Sequence, residues 1–284
     1  MATKISNENI EKYYNENQII IEMLCNLLWP QNALHYGLWD KNTKKLSDAV
    51  LNTNKLVLNC LEINPKDFVL DAGCGIGGTS IFIAENSGAK VTGITLSDVQ
   101  LKLAKEKALK SKVSKLLDFS KQDFTKTQFK NKTFSKIFGI ESICHAHKKI
   151  DFLREANRIM KPCGKIAVVD AYLKRTNFNE KEKKIYQRFL EGWAVPNLSL
   201  KKDFYNDLKK AGFKNIVFHD KLDSVRKSSR RIYHLGIIIY PITLLLSLLK
   251  IIPKSEHLDT VASINQKGLV DNDMVTYGIF VAEK

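Results

Sequence analysis

Residues 69–78 read Val-Leu-Asp-Ala-Gly-Cys-Gly-Ile-Gly-Gly, and this stretch decides the fold class. The apolar run 68–72 predicts a strand and the pattern from residue 79 predicts a helix, so the glycines form a strand-to-helix turn. Glycine lets the backbone turn sharply and approach a ligand closely. In an open α/β sheet such a turn lies at the carboxyl end of a strand, where nucleotide-like ligands bind.

Asp71 distinguishes this turn from a dinucleotide site. A pyrophosphate-binding turn has the spacing G-x-G-x-x-G, whereas this chain has G-x-G-x-G-G with a carboxylate at the end of the strand. A carboxylate there repels phosphate and suits a cation. The turn therefore favours a nucleotide-like ligand that carries positive charge.

Short apolar runs alternate with amphipathic helices on the carboxyl side of the turn, which is typical of βα units and a parallel sheet. Ser97 and Gln100 predict a capping box that opens a helix at 98–110. Before the turn, helices are predicted at 10–28 and 48–61. Further strands are predicted at 90–95, 116–121, 136–140, 165–170, 215–219 and 277–282.

The run Asp-Ala-Gly-Cys-Gly-x-Gly resembles the first motif of the class I S-adenosylmethionine-dependent methyltransferases, and the resemblance extends along almost the whole chain. It implies an α/β Rossmann-like sheet of seven strands with the last strand antiparallel. It also implies a helical N-terminal cap (1–62), a sheet domain (63–284), and acceptor-pocket insertions at about 171–200 and 222–275. The implied cofactor is S-adenosylmethionine, with S-adenosylhomocysteine as product, and no metal is expected.

Two segments are similar to the sterol C-methyltransferase, γ-tocopherol methyltransferase and sugar O-methyltransferase group. They are the G-I-T-L-S-x-x-Q run at 93–100 and the E-x-x-x-H run at 141–145. Thr95 stands where many class I enzymes have an acid, and His147 and Lys148 replace a usual Pro-Asp pair. The resemblance implies cofactor contacts from Asp71, Gly73, Cys74, Gly75, Gly77, Thr95, Leu96, Gln100, Asp123, Phe124 and Glu141.

His145 and Asp170 are the predicted catalytic residues. A histidine is suited to general base catalysis, with a pKa of about 6.5 in model peptides. In the sugar enzymes that this chain resembles, the histidine works with an aspartate at the end of strand five, the position of Asp170. The alternative is that His145 only hydrogen-bonds within its loop.

Tyr14, Tyr36, His145 and Trp193 are the predicted acceptor contacts. A carbon acceptor would develop positive charge, and aromatic faces stabilise a cation by cation–π attraction. Tyr13, Trp29 and Trp39 are further aromatic candidates, and the alternative for each aromatic side chain is a place in the core.

The net charge and the cysteines indicate which partners and which cellular compartment to expect. The formal net charge of +15 permits a nucleic-acid partner, but the lysines are spread along solvated helices. No Asn-Pro-Pro-Tyr tetrapeptide follows strand four, so no specific nucleic acid is expected. Five cysteines without C-x-x-C spacing and a polar start of the chain favour a cytoplasmic protein.

Residues 235–249 carry no charge. A spanning helix needs roughly 20 apolar residues, and this run is shorter and contains Pro241, so we expect no transmembrane helix. One reading is a helix buried in the core or at a dimer interface, in a protein that is a monomer or homodimer. The other is an apolar lid, with peripheral membrane contact through 235–253.

These features predict methyl transfer to a lipophilic small-molecule acceptor that is sterol-, prenylquinone- or tocopherol-like. One alternative is an O-methyltransferase of a sugar or polyketide with His145 and Asp170 as base. The other is a nucleic-acid-binding or nucleic-acid-modifying protein. The sequence leaves open whether carbon, oxygen or nitrogen is methylated.

Overall fold

The computed structural model describes residues 5–28 and 35–284, with the backbone alone for 18–28. The strands are β1 (Phe68–Ala72), β2 (Lys90–Thr95), β3 (Leu117–Lys121), β4 (Phe134–Ile140), β5 (Met160–Leu173), β6 (Lys214–Asp220) and β7 (Val275–Glu283). They form one sheet in the order β3-β2-β1-β4-β5-β7-β6. β7 pairs antiparallel with β5 and β6, and the other neighbouring strands are parallel. The predicted sheet is confirmed.

The helices of the described residues flank this sheet and precede it. They are α1 (Asn7–Leu28), α2 (Leu46–Leu61), α3 (Gly78–Ser87), α4 (Asp98–Lys110), α5 (Lys149–Ile159), α6 (Glu180–Gly192), α7 (Lys201–Lys210), α8 (Leu222–Leu248) and α9 (Lys254–Asp271). Ser97 Oγ accepts the backbone N–H of Gln100 at 3.1 Å, so Ser97 caps α4 as predicted, whereas Gln100 Oε1 accepts the hydroxyl of Thr95. Ser97 Oγ also donates to Asn15 Oδ1 at 2.6 Å, which joins the start of α4 to α1.

The core has a layer on each face of the sheet. Leu70 and Ile137 belong to the cluster that includes side chains of α5 and α7. Their neighbours Val69 and Phe138 belong to the cluster that includes α2 and α3. Successive residues of a strand point to opposite faces, so a central strand covered on both sides is apolar throughout. This arrangement leaves the loops at the carboxyl ends of the parallel strands to form the site.

β5 is longer than predicted. It begins at Met160, five residues before the predicted strand 165–170, and Cys163 in this extension adopts a left-handed φ of 58°. The register between β4 and β5 shifts between Phe134 and Lys136, which accommodates the extra residues. At its other end β5 continues to Leu173 because β7 pairs with it as far as Val275.

The apolar run 235–249 lies in α8 up to Leu248, with Leu249 as the C-cap, and the helix continues through Pro241 without ending. The reading as a helix buried in the core of this chain is wrong, because Ile238, Leu245 and Leu248 are exposed. Among the described residues, α8 is the one helix that is long and apolar enough to cross a membrane. Length and composition alone are weak evidence for a membrane-spanning helix.

Candidate active site

The first cavity, of about 120 Å³, lies beside the Gly-rich turn. It is formed where β1, β2, β3 and β4 end, next to the place where the strand order reverses. Its lining residues are Ile10, Tyr14, His35, Asp71, Gly73, Cys74, Gly75, Ile76, Gly78, Thr79, Thr95, Leu96, Gln100, Gln122, Phe124, Ile140, Glu141, Ser142 and His145. Nine of the eleven predicted cofactor contacts are therefore brought together here.

Two glycines of the turn serve different purposes. Gly73 has a φ of +93°, and a Cβ there would lie 2.4 Å from Ser142 Cβ, so the turn packs directly on the loop after β4. Gly75 has a φ of +52°, and a Cβ there would meet no atom within 4 Å. Gly73 is required by packing, whereas Gly75 leaves open space on the wall of the cavity.

Two of the predicted contacts do not line the cavity. Gly77 caps α3, and a Cβ there would lie 3.0 Å from Phe119 Cζ, so its place is set by packing. Asp123 accepts hydrogen bonds from Thr125 and, at 2.7 Å, from Asn7 Nδ2. Its neighbour Gln122 lines the cavity in its place. The structure thus gives Gly77 and Asp123 local structural roles.

The cavity fits a cationic nucleoside. Asp71 is buried at the end of β1, and Ser80 Oγ donates to its Oδ2 at 2.6 Å. Burial raises the pKa of Asp71 to about 7, because the charged form has lost its water. A cation beside this carboxyl would favour its ionised form. Thr95 Oγ1 donates to Gln100 Oε1 at 2.8 Å, so both buried side chains are held in the wall of the cavity.

A second cavity, of about 260 Å³ and mostly apolar, adjoins the first. Its walls come from the ends of β4 and β5, from β7, and from α1, α6, α8 and α9. The lining includes Tyr36, Asp170, Phe189, Trp193, Val195, Leu198, Leu235, Ile239, Asp259, Leu269 and Tyr277. Both predicted insertions, 171–200 and 222–275, contribute to it.

Tyr14, His35, Glu141 and His145 line both cavities and form the boundary between them. Glu141 follows β4 with a left-handed φ of 49°, an arrangement that a non-glycine residue adopts at a cost of about 1 kcal/mol or more. Its Oε1 accepts the backbone N–H of Tyr36 at 2.8 Å and the hydroxyl of Tyr277 at 2.6 Å. Burial raises the pKa of Glu141 to about 8.

Stability should therefore depend on the Glu141 proton. The folded state holds this proton up to about pH 8, whereas the unfolded state loses it near the ordinary pKa of 4.5. The free energy of unfolding should fall as pH rises, by about 2 kcal/mol from this group between pH 6.5 and 8.5.

Glu141→Gln keeps the accepting oxygen and removes the titration. Urea unfolding at pH 6.5 and 8.5 should show a pH dependence smaller by about 2 kcal/mol in the variant. An equal pH dependence of stability in the wild type and the variant would contradict a raised pKa for Glu141.

His145 is buried, and its ring orientation is defined by two hydrogen bonds. Nδ1 lies 3.0 Å from the carbonyl oxygen of Ala194, which can only accept, so Nδ1 carries the proton. Nε2 accepts the hydroxyl of Tyr14 at 2.8 Å. Burial lowers the pKa of His145 to about 4, so the ring is neutral at pH 7 with the Nε2 lone pair directed at the boundary.

The predicted pairing of His145 with Asp170 is wrong. Asp170 Oδ2 accepts the backbone N–H of Cys144 at 2.8 Å, and Oδ1 accepts that of Ala171. The carboxylate is used to hold the loop after β4, while Ala194 orients the histidine. Asp170 nevertheless lines the second cavity, and burial raises its pKa to about 6.

The aromatic candidates divide between the cavity and other places. Tyr13, Tyr14, Tyr36 and Trp193 line the second cavity. Trp39 does not, because its Nε1 donates to Ser228 Oγ at 2.9 Å and its ring packs under Lys227 and Arg231. Trp29 lies outside the described residues.

Sequence reasoning missed Asp259, Gln266 and Tyr277. Asp259 accepts the hydroxyl of Tyr13, lines the second cavity, and has a pKa raised to about 6 by burial. Gln266 Oε1 accepts the hydroxyls of Tyr36 at 2.8 Å and Ser229 at 2.6 Å. These residues lie on α9 and β7, and no local motif marks them.

Lys149 was also missed, and it holds the loop that follows β4. Its buried ammonium donates to the carbonyls of Cys144 at 2.8 Å and Ala146 at 2.6 Å, and to Asn197. Burial lowers the pKa of Lys149 to about 8. Among the side chains that the structure describes, no cluster of three or more His, Cys, Asp or Glu residues is suited to a metal ion.

Comparison with known proteins agrees with this geometry. A family model described as "Methyltransferase domain" matches residues 69–164. Sterol 24-C-methyltransferase of Saccharomyces cerevisiae is 35% identical over 220 residues, which are 77% of this chain and 56% of that protein. The chain contains a class I S-adenosylmethionine-dependent methyltransferase domain. It spans about half the length of the first curated relatives that it matches.

Solved structures share the fold of this methyltransferase domain along nearly its whole length. The [4+2]-cyclase SpnF has a TM-score of 0.80 at 20% identity, covering 98% of this chain and 96% of its own. Geranyl diphosphate methyltransferase, in complex with GPP and sinefungin, has a TM-score of 0.78 at 17% identity, covering 98% of each chain. At these identities the likeness shows the fold alone. The predicted cofactor, S-adenosylmethionine, is confirmed as that of the family, whereas its individual contacts stay predictions.

Proposed function

We propose that this chain transfers a methyl group from S-adenosylmethionine to a lipophilic, sterol-like small molecule. The observation that carries the proposal is the second cavity, which is mostly apolar and shares Tyr14, His35, Glu141 and His145 with the first. Bound S-adenosylmethionine supplies a methyl group already activated by a sulfonium. An acceptor in the second cavity would meet that group at this boundary.

The polar groups of the second cavity favour an alkene carbon as the methylated atom. An alkene that forms a bond to the methyl group is left with positive charge on the adjacent carbon. Two buried carboxyls, those of Asp170 and Asp259, line the cavity with pKa values of about 6, so both are ionised at pH 7, and aromatic rings complete the wall. Carboxylates and aromatic faces both stabilise a cation, and the surrounding apolar lining excludes the water that would quench it. The similarity to a sterol 24-C-methyltransferase agrees with this choice.

O-Methylation of a sugar or polyketide is the second candidate, and His145 favours it. A neutral imidazole with its lone pair at the boundary is suited to take a proton from an acceptor hydroxyl. The proton would pass through the Tyr14 hydroxyl, or the acceptor would displace Tyr14 from Nε2. No contact in the described part of the chain favours a nucleic-acid substrate.

The test is a methylation assay with methyl-labelled S-adenosylmethionine and matched acceptors. A sterol with a side-chain double bond is compared with its saturated counterpart, next to prenylquinones, tocopherols and glycosides. We expect label on carbon with the unsaturated sterol alone. Label on oxygen in both sterols or in a glycoside would support the second candidate. Absence of label in all of them would contradict both candidates.

A further inference from the structure

The exposed face of α8 combines basic side chains with apolar ones. Positions 227, 231, 234, 238, 242, 245 and 249 follow one another at intervals of three or four residues, so they lie on one side of the helix. The first three are Lys227, Arg231 and His234, all exposed. The last four, here called the apolar stripe, are Ile238, Ile242, Leu245 and Leu249, exposed by 68%, 56%, 57% and 59%.

Positive charge brackets the apolar stripe at both ends. Residues 224–255 contain no Asp or Glu, but they contain six Lys and Arg residues. Arg230 precedes the stripe, whereas Lys250 and Lys254 follow it, and all three are exposed. An apolar stripe between cations is complementary to an anionic lipid surface. The stripe matches the acyl chains, and the cations at its two ends match the anionic headgroups. A second copy of this chain would instead oppose like charges across a twofold contact.

The rest of the chain holds α8 along the surface of the protein. Ser228 and Ser229, in the first half of α8, are buried, and their hydroxyls bond Trp39 and Gln266. α8 and α9 connect β6 to β7, which are adjacent antiparallel strands of one sheet. A single crossing by α8 would place β7 on the other side of a bilayer from β6, so α8 presents the apolar stripe sideways to a surface.

We propose that the exposed face of α8 docks on an anionic lipid bilayer, which makes the protein peripheral to a membrane. The apolar stripe enters the acyl boundary and the flanking cations contact the headgroups. Leu235 and Ile239, on the adjoining face of the same helix, line the second cavity. Docking therefore brings the wall of that cavity against the bilayer. It does not depend on the proposed function, because it requires no acceptor.

The test is vesicle co-sedimentation of the full chain without acceptor. Vesicles of phosphatidylcholine alone are compared with vesicles that also contain phosphatidylserine. The I238E/L245E double variant should lose at least about thirtyfold in partition to the anionic vesicles, because two apolar contacts become charged. The matched control is L109E on α4, since Leu109 is 80% exposed at the opposite edge of the sheet. It should bind like the wild type.

A second set of variants separates charge from apolar contact. R230Q/K250Q/K254Q should lose the preference for anionic vesicles by about a hundredfold and keep binding to neutral ones. Raising the salt concentration should weaken wild-type binding in the same way. No binding by the wild type, or an equal loss in L109E, would overturn the proposal. The proposal would also be overturned if sedimentation velocity without lipid showed a dimer of the wild type and a monomer of I238E/L245E.

Discussion

Gly73→Ala is expected to lower the free energy of unfolding by about 3–5 kcal/mol. The new Cβ would lie 2.4 Å from Ser142 Cβ and 2.9 Å from its Oγ. Ser142 cannot move aside easily, because its Oγ donates to the Ala72 carbonyl at 2.5 Å. Overpacking of a rigid contact and a left-handed φ each cost about 1–3 kcal/mol.

Gly75→Ala is the matched control two residues away. Its Cβ meets no protein atom, so the stability loss should be only about 1 kcal/mol from the left-handed φ. The methyl group would lie on the wall of the first cavity, in space that we expect the cofactor to occupy. We therefore expect affinity for S-adenosylhomocysteine to fall at least about tenfold, corresponding to about 1.4 kcal/mol.

Urea unfolding and calorimetric titration with S-adenosylhomocysteine measure the two effects separately. The expected pattern is a destabilised Gly73 variant and a stable Gly75 variant that binds weakly. Equal stability of the two variants would contradict the packing argument. Unchanged binding by Gly75→Ala would place the cofactor elsewhere.

His145→Ala is expected to lower kcat by about 10²–10⁴-fold, the usual contribution of a general base. The acceptor must lose a proton whether carbon or oxygen is methylated, and the boundary between the cavities holds a neutral imidazole. Its Nε2 is the accepting nitrogen because Ala194 fixes the proton on Nδ1. Burial lowers its pKa to about 4, so the ring is neutral at pH 7 and Nε2 carries no proton.

His145→Asn tests this role with less disturbance, since the Asn amide can still donate to the Ala194 carbonyl but cannot act as a base. We expect kcat to fall as far as in His145→Ala, with a smaller change in KM. Because the histidine titrates near pH 4, wild-type kcat should show no acid limb from this group between pH 6 and 8. Unchanged turnover in His145→Asn would show that His145 is not the base and only hydrogen-bonds within its loop.

Local rules were sufficient wherever neighbouring residues decide the structure. β1, β2 and α4 have the predicted bounds, because a short apolar run, a glycine turn and a serine cap act over a few residues. The Gly-rich turn and the residues after β2, β3 and β4 meet at one cavity for a topological reason. Parallel strands end at the same edge of a sheet, so residues distant in sequence converge there.

The sequence by itself determined the α/β sheet, the family and the position of the Gly-rich turn, since each depends on local pattern. Only the tertiary structure decided which nitrogen of His145 is the acceptor and which group orients the ring. Those depend on Ala194, 49 residues along the chain. It likewise decided that Asp259 and Tyr277 join the second cavity and that α8 leaves its apolar stripe in solvent. Burial and hydrogen-bond partners are properties of packing between distant segments, and no local pattern encodes them.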